Sequence, residues 1–182
     1  MERPLPDDLI SKAAQIRLLA LDVDGVMTDG RLFFSAQGDE LKAFHSLDGH
    51  GIKQLKKAGI DVAIITGRNS PLTARRAADL GITLLQQGRE DKAKALIELL
   101  TELGLQPEAA AYMGDDLPDL GAIQIAGLGV SVPNGHWYVR EHADYCTELA
   151  GGEGAVRELC DLILQAQNKL ADMHLHYHEP EA

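Results

Sequence analysis

Apolar and polar positions along this chain fall into blocks, and the period changes from block to block. Short apolar runs at Leu18-Leu19-Ala20-Leu21 and at residues 60–65, 82–85, 109–113 and 127–132 are each followed by a polar or glycine-containing turn. Such runs read as buried strands. The stretches between them carry apolar residues three or four apart, which predicts helices. One is a short opening helix after Pro6-Asp7-Asp8; Asp48-Gly49-His50-Gly51-Ile52 leads into another that ends at Gly59; others run from Ser70-Pro71 to Gly81, from Glu90 to Gly104, and from the Gly151-Gly152-Glu153-Gly154 loop to about Leu170. The glycines at 59, 81 and 104 stand where helices stop. A short helix near 136–141 and a strand at 144–147 complete the series. One segment has a different pattern: residues 31–36 and 40–45 flank Gln37-Gly38-Asp39 and predict a β-hairpin bearing Leu32, Phe33, Phe34, Leu41 and Phe44. The whole reads as an α/β fold, a Rossmann-like parallel sheet with helices on both faces and a protruding β-hairpin.

In such a sheet, sites form beyond the carboxyl ends of the strands. Those ends carry Asp22-Val23-Asp24-Gly25, Thr66-Gly67-Arg68 and Gly114-Asp115-Asp116-Leu117-Pro118-Asp119, while Lys92 falls in the first turn of a helix. Each cluster has an ordinary alternative: a solvated Asp-Gly turn, a Thr-Gly turn, a lysine paired with Glu90 or Asp91, a helix cap. The expectation that Asp22, Asp24, Thr66, Lys92, Asp115, Asp116 and Asp119 converge weighs against all of these at once. Two like charges 4 Å apart cost about 4 kcal/mol at an effective dielectric of 20, so clustered carboxylates call for a cation. Oxygen ligands alone suit Mg²⁺. Asp22 is then a candidate nucleophile toward phosphorus, Asp24 a candidate general acid and base, and Thr66 and Lys92 candidate holders of the phosphoryl oxygens.

Composition narrows the partners. Across 182 residues, 45% are hydrophobic and 25% charged, an ordinary globular balance. With 4% aromatics there is little for a nucleic-acid stacking platform. A formal charge of −11 repels polyanions, so neither nucleic acid nor an anionic membrane is an expected partner. Cys146 and Cys160 have no metal or redox spacing, no apolar run approaches the length of a membrane span, and the first residues show no secretory pattern. The expected location is cytoplasmic. A single domain over 1–172 is expected, with a disordered tail at 173–182 in which His174, His176 and His178 alternate without a fixed site.

The motifs Asp22-Val-Asp24-Gly-Val, Ile64-Ile-Thr66-Gly-Arg68, Lys92 and Gly114-Asp115-Asp116-Leu-Pro-Asp119 resemble those of the haloacid-dehalogenase-like phosphohydrolases. Glu40-Leu-Lys-Ala-Phe44, Asp48-Gly49, Gln87-Gly88 and Gly151-Gly-Glu-Gly-Ala-Val-Arg157-Glu are similar to a branch of that family that dephosphorylates acid sugars destined for lipopolysaccharide. The resemblance implies a phosphoric monoester hydrolase in which Asp22 is the nucleophile and Asp24 the acid and base. Mg²⁺ would be held by the Asp22 carboxylate, the Asp24 backbone carbonyl and Asp115, with Asp116 and Asp119 acting at one remove. It also implies substrate contacts at Asp24, His45, Ser46, Leu47, Asp48, Gly49, Lys53, Arg68, Arg76 and Lys92. Asp rather than Thr at position 24 favours a hydrolase over the family's transport ATPases. Asp22 and Thr66 are only 44 positions apart, and Thr66 and Lys92 only 26. That spacing leaves no room for a separate cap domain. Related proteins are homotetramers in which a neighbouring subunit covers each site, which makes the hairpin an expected contact and the 151–154 loop and Arg157 expected contributors to the cover. Alternatives are a phosphatase of another sugar acid, such as N-acylneuraminate 9-phosphate, a receiver-type module that accepts phosphate on Asp, or an inactive homologue.

Overall fold

The computed structural model describes residues 6–175 and Tyr177. In chain order the elements are α1 (Asp7–Ala14), β1 (Leu18–Leu21), β2 (Phe33–Phe34), β3 (Glu40–Leu41), α2 (Ser46–Lys57), β4 (Asp61–Ile65), α3 (Pro71–Asp79), β5 (Leu84–Gln86), α4 (Lys92–Leu103), β6 (Ala110–Met113), α5 (Leu120–Ile125), β7 (Leu128–Ser131), α6 (Trp137–His142), β8 (Tyr145–Cys146), α7 (Ala155–Ala166) and α8 (Leu170–Leu175). Six strands form one parallel sheet in the order β5-β4-β1-β6-β7-β8, and β2 and β3 pair separately as an antiparallel hairpin.

All four residues of β1 are buried because the strand is flanked by β4 and β6 and covered on both faces. The two-residue period of a strand sorts its side chains between those faces. Leu19, Leu21, Val62, Ile64, Ala111 and Met113 join a core with α1, α2, α3 and α7. Leu18, Ala20, Ala63, Ile65, Ala110 and Tyr112 join a second core with α4, α5 and α6. From β1 the chain builds outward through β4 to β5, then crosses back to β6 and builds the other way. The connections leaving β1 and β6 therefore go to opposite faces and open a crevice at the carboxyl edge between those strands.

Several boundaries differ from the pattern-based reading. Ile82 does not start β5: its N–H closes the end of α3 on the Ala77 carbonyl at 2.8 Å, and its side chain fills the first core. Helix α2 starts at Ser46, so Asp48 to Gly51 are helical. Gly49 and Gly51 are tolerated there because a Cβ would collide with the Arg76 guanidinium at one and with Arg157 and Cys160 of α7 at the other. The hairpin strands are two residues each, and Phe44 is not an arm residue but packs against the first core. Past Ala166 the chain turns through Asn168 into α8, which carries Asp172 and His174; His176 and His178 lie outside the described residues. No helix among the described residues is long and apolar enough to cross a membrane.

Candidate active site

A cleft of about 380 Å³ opens at the carboxyl edge of the sheet, lined by Asp22, Asp24, Thr66, Gly67, Arg68, Glu90, Lys92, Asp115, Asp116, Pro118 and Asp119. Asp22 directly follows β1, Thr66 follows β4 and Asp115 follows β6 by one glycine. Gly25, at φ +101°, turns the first loop sharply enough that a Cβ would strike the Asp115 carboxylate. The two acidic loops are thereby brought into contact.

Lys92 is the electrostatic centre of the cleft floor. Its Nζ donates to Asp22 Oδ1 at 2.7 Å and to Asp119 Oδ1 at 2.6 Å, and all three side chains are buried. The first turn of a helix disfavours a cation, so α4 gains nothing from a lysine at this position. Burial alone depresses the ammonium, but the Asp22 and Asp119 charges and hydrogen bonds together hold it above its ordinary value. Burial, followed by the Asp119 charge, pushes Asp22 up to about 6. Asp115 is pushed up to about 8, again by burial first and then by the charges of Asp22 and Asp119. One lysine does not offset three carboxylates.

Asp119 is the most engaged of the three. Its Oδ1 also accepts from Tyr112 Oη at 2.8 Å, and its Oδ2 accepts from the backbone N–H of Asp115 at 3.1 Å and of Asp116 at 3.2 Å. With both oxygens occupied, Asp119 shapes the loop. Asp116 caps the short 3₁₀ turn Leu117–Asp119 through the Leu117 N–H. Oxygen atoms of Asp22, Asp115 and Asp119 lie within 4.8 Å of one another. This donor set is all oxygen and carries excess negative charge, so it fits a small divalent cation, held most directly by Asp22 and Asp115.

Asp24 lies at the rim. One oxygen accepts from Lys42 Nζ and the other is 3.6 Å from Arg68 Nε. Glu40 Oε1 lies 3.4 Å from Lys42 Nζ and accepts from Arg68 Nη2 at 3.3 Å, while Glu40 Oε2 accepts from Ser70 Oγ at 3.4 Å. Neither Lys42 nor Glu40 was singled out for a catalytic role from the sequence, and the same holds for Tyr112. The signal for the first two was present in the alternation of the hairpin, which sets Glu40 and Lys42 on the side opposite Leu41.

The remaining sequence-nominated contacts do not line this cleft. His45 precedes α2, Ser46, Leu47, Asp48 and Gly49 form its first turn, Lys53 lies further along it, and Arg76 belongs to α3. They form a second cluster: Arg76 Nη2 donates to the His45 carbonyl at 3.1 Å, and its guanidinium carbon sits 5.5 Å from the centre of the Phe44 ring. Asp48 Oδ1 accepts from the Arg157 N–H at 2.8 Å, and burial pushes the Asp48 carboxyl up. His45 Nδ1, Asp48 Oδ2 and Arg76 Nε are buried with no hydrogen-bond partner among the described residues. Ser46, Leu47 and Lys53 are exposed.

The 151–154 loop is hydrogen-bonded to the first acidic loop and to Asn134 of its own chain. Gly151 N–H donates to Asn134 Oδ1 at 2.7 Å, Asn134 Nδ2 donates to the Gly25 carbonyl at 2.9 Å, and Gly152 N–H donates to the Val26 carbonyl at 3.0 Å. A Cβ at Gly151 would collide with the Gly25 carbonyl. Arg157 is paired with Asp161 on its own helix.

Residues 32–127 match the model of the haloacid dehalogenase-like hydrolases, and the chain belongs to that family. More particularly, it is 54% identical over 167 residues to the 3-deoxy-D-manno-octulosonate 8-phosphate phosphatase of Yersinia pestis, covering 92% of this chain and 89% of the relative. The Escherichia coli K12 enzyme of the same name is 50% identical over the same shares. A crystal structure of the Moraxella catarrhalis phosphatase with magnesium, phosphate and the sugar acid superposes with a TM-score of 0.94 at 47% identity, covering 95% of this chain and 99% of that one.

Proposed function

We propose that this protein hydrolyses 3-deoxy-D-manno-octulosonate 8-phosphate to the free sugar acid and inorganic phosphate, using Mg²⁺, on the route to lipopolysaccharide. The observation that carries this reading is the cleft itself, in which a buried nucleophile candidate, a second aspartate two residues on, a lysine and an uncompensated carboxylate group face one space. Relatives at 50–54% identity with that activity support the choice of sugar.

Mg²⁺ would be held by the carboxylates of Asp22 and Asp115 and the Asp24 backbone carbonyl; bound there, it supplies positive charge against the transferring phosphoryl group. An Asp22 oxygen attacks phosphorus as the bond to the sugar oxygen breaks, and Asp24 gives that oxygen its proton. The resulting aspartyl-phosphate is then cleaved by water, whose proton returns to Asp24. Lys92 and the Thr66 hydroxyl stabilise the phosphoryl oxygens as charge spreads over them. The nucleophile-plus-two aspartate is what a receiver-type phosphate acceptor lacks.

Arg68, nearly half exposed at the rim, is the candidate partner for the sugar's carboxylate, a planar group suited to a guanidinium fork. Of the contacts that the resemblance nominates at α2 and α3, Ser46, Leu47 and Lys53 are exposed and open to a hydroxyl-rich ligand. Because that cluster does not line the cleft of its own chain, we assign it to an assembly in which several chains share the cover of each site, a homotetramer. We further place the enzyme in the cytoplasm, where Cys146 and Cys160 stay as the free thiols seen here.

A panel of sugar phosphates assayed for phosphate release with Mg²⁺ tests the reading. The 8-phosphate of 3-deoxy-D-manno-octulosonate should exceed glucose 6-phosphate in kcat/KM by at least about 10²-fold, the scale set by lost polar contacts in a substrate site. Equal efficiency on the two would reject the sugar while sparing the phosphatase.

A further inference from the structure

The hairpin does more than present an apolar arm. Lys42 lies just past β3, and its side chain is only 1% exposed although it carries a charge. A lysine so enclosed is stable only with anionic partners. Its partners are Asp24, by a direct hydrogen bond, and Glu40 at 3.4 Å. Glu40 is in turn fixed by Arg68 and Ser70 from the loop after β4. Four charged residues from three chain segments thus close a ring in which the Asp24 carboxylate is gripped by Lys42 on one oxygen and faced by Arg68 on the other. Lys42 itself is not among the residues lining the cleft.

We propose that Lys42 is a positioning residue: it holds the Asp24 carboxyl in the rotamer that faces the leaving oxygen, making proton delivery depend on the docked hairpin. This rests on the acid and base role given to Asp24. In the step concerned, the Asp22–phosphorus bond forms, the bond from phosphorus to the sugar oxygen breaks, and the proton on Asp24 passes to that oxygen. A side chain that swings away from this line still leaves phosphate binding, Lys92 and the nucleophile in place. The effect of losing Lys42 therefore falls on leaving groups that need a proton and spares those that do not.

Rapid-mix measurement of the first turnover, in Mg²⁺-loaded protein, tests this with two leaving groups. One substrate is the sugar 8-phosphate, whose alkoxide must be protonated; the other is p-nitrophenyl phosphate, whose phenolate leaves unaided. Lys42→Met should slow release of the sugar by about 10²-fold, the scale of general acid catalysis, and the nitrophenolate burst by less than about fivefold. Lys42→Gln, which keeps a donor for Asp24 without the charge, should fall between Lys42→Met and the parent and guards against a folding defect in the first variant. Asp24→Asn is the reference and should show the same split. If Asp24→Asn splits the two substrates but both Lys42 variants slow them by equal factors, or slow neither, Lys42 has no positioning role. If Asp24→Asn shows no split, the acid role of Asp24 fails, and the role of Lys42 fails with it.

Discussion

At the scale of single residues, the site is a problem in charge. Asp22 sits in a nearly dry environment beside two other carboxylates, with Lys92 as the cation they share among the described residues. A carboxylate so placed is costly for folding, and the cost is accounted for if it attacks phosphorus. Asp22→Asn should therefore reduce turnover by at least about 10³-fold, because an amide cannot form the covalent intermediate, with far-ultraviolet circular dichroism unchanged. Retention of a tenth of the parent rate would contradict the assignment. Asp22, Asp24, Lys92 and Asp115 could be picked out from sequence because they are polar residues placed directly after apolar strands or at a helix start. Tyr112 could not, since its hydroxyl becomes a partner of Asp119 only after the chain turns at Gly114 and the 3₁₀ segment folds back.

At the scale of elements, the strands and helices were legible because burial imposes their periods, and the two misplaced boundaries have different causes. Ile82 is taken by the local cap of α3, its N–H bonding the Ala77 carbonyl past Gly81, whereas the first turn of α2 is set by contacts to α3 and α7. The hairpin was legible as a hairpin but not in its attachment. Leu41 and its cross-strand partner Phe33 are exposed, as are Leu32 and Phe34, whereas Glu40 and Lys42 reach the rim of the cleft and Phe44 packs on the core. Burying apolar side chains of that size is worth about 1.5–3 kcal/mol each, enough to drive self-association. Phe34→Ser combined with Leu41→Ser should shift the light-scattering mass from a multiple of 19.7 kDa toward a single chain. A parent protein already monomeric at micromolar concentration would remove the hairpin's assembly role.

At the scale of the whole molecule, the charge of −11 and the acidic cleft make stability a function of pH and metal together. Asp22 at about 6 and Asp115 at about 8 lie above their ordinary range, mainly through burial. A carboxyl raised in the folded state leaves stability fully present below its ordinary value; that stability is lost as pH rises from there through the folded value. Metal-free protein should lose melting temperature between about pH 4 and pH 8, and saturating Mg²⁺, which binds the folded state, should flatten that decline. The same chelated protein should be inactive and recover on readdition of Mg²⁺. A melting temperature that rises over this range without metal would mean the three carboxylates are not clustered as described.

The central claim is that the phosphoryl group passes through Asp22. Quenching the enzyme during turnover with borohydride reduces an acyl-phosphate to an alcohol, converting the trapped aspartate to homoserine. Peptide mass spectrometry of protein quenched while hydrolysing the sugar 8-phosphate should find homoserine at position 22 and at no other aspartate, and none when substrate is omitted. Trapping at Asp24 or Asp115 instead, or steady turnover with position 22 unmodified, would contradict the account.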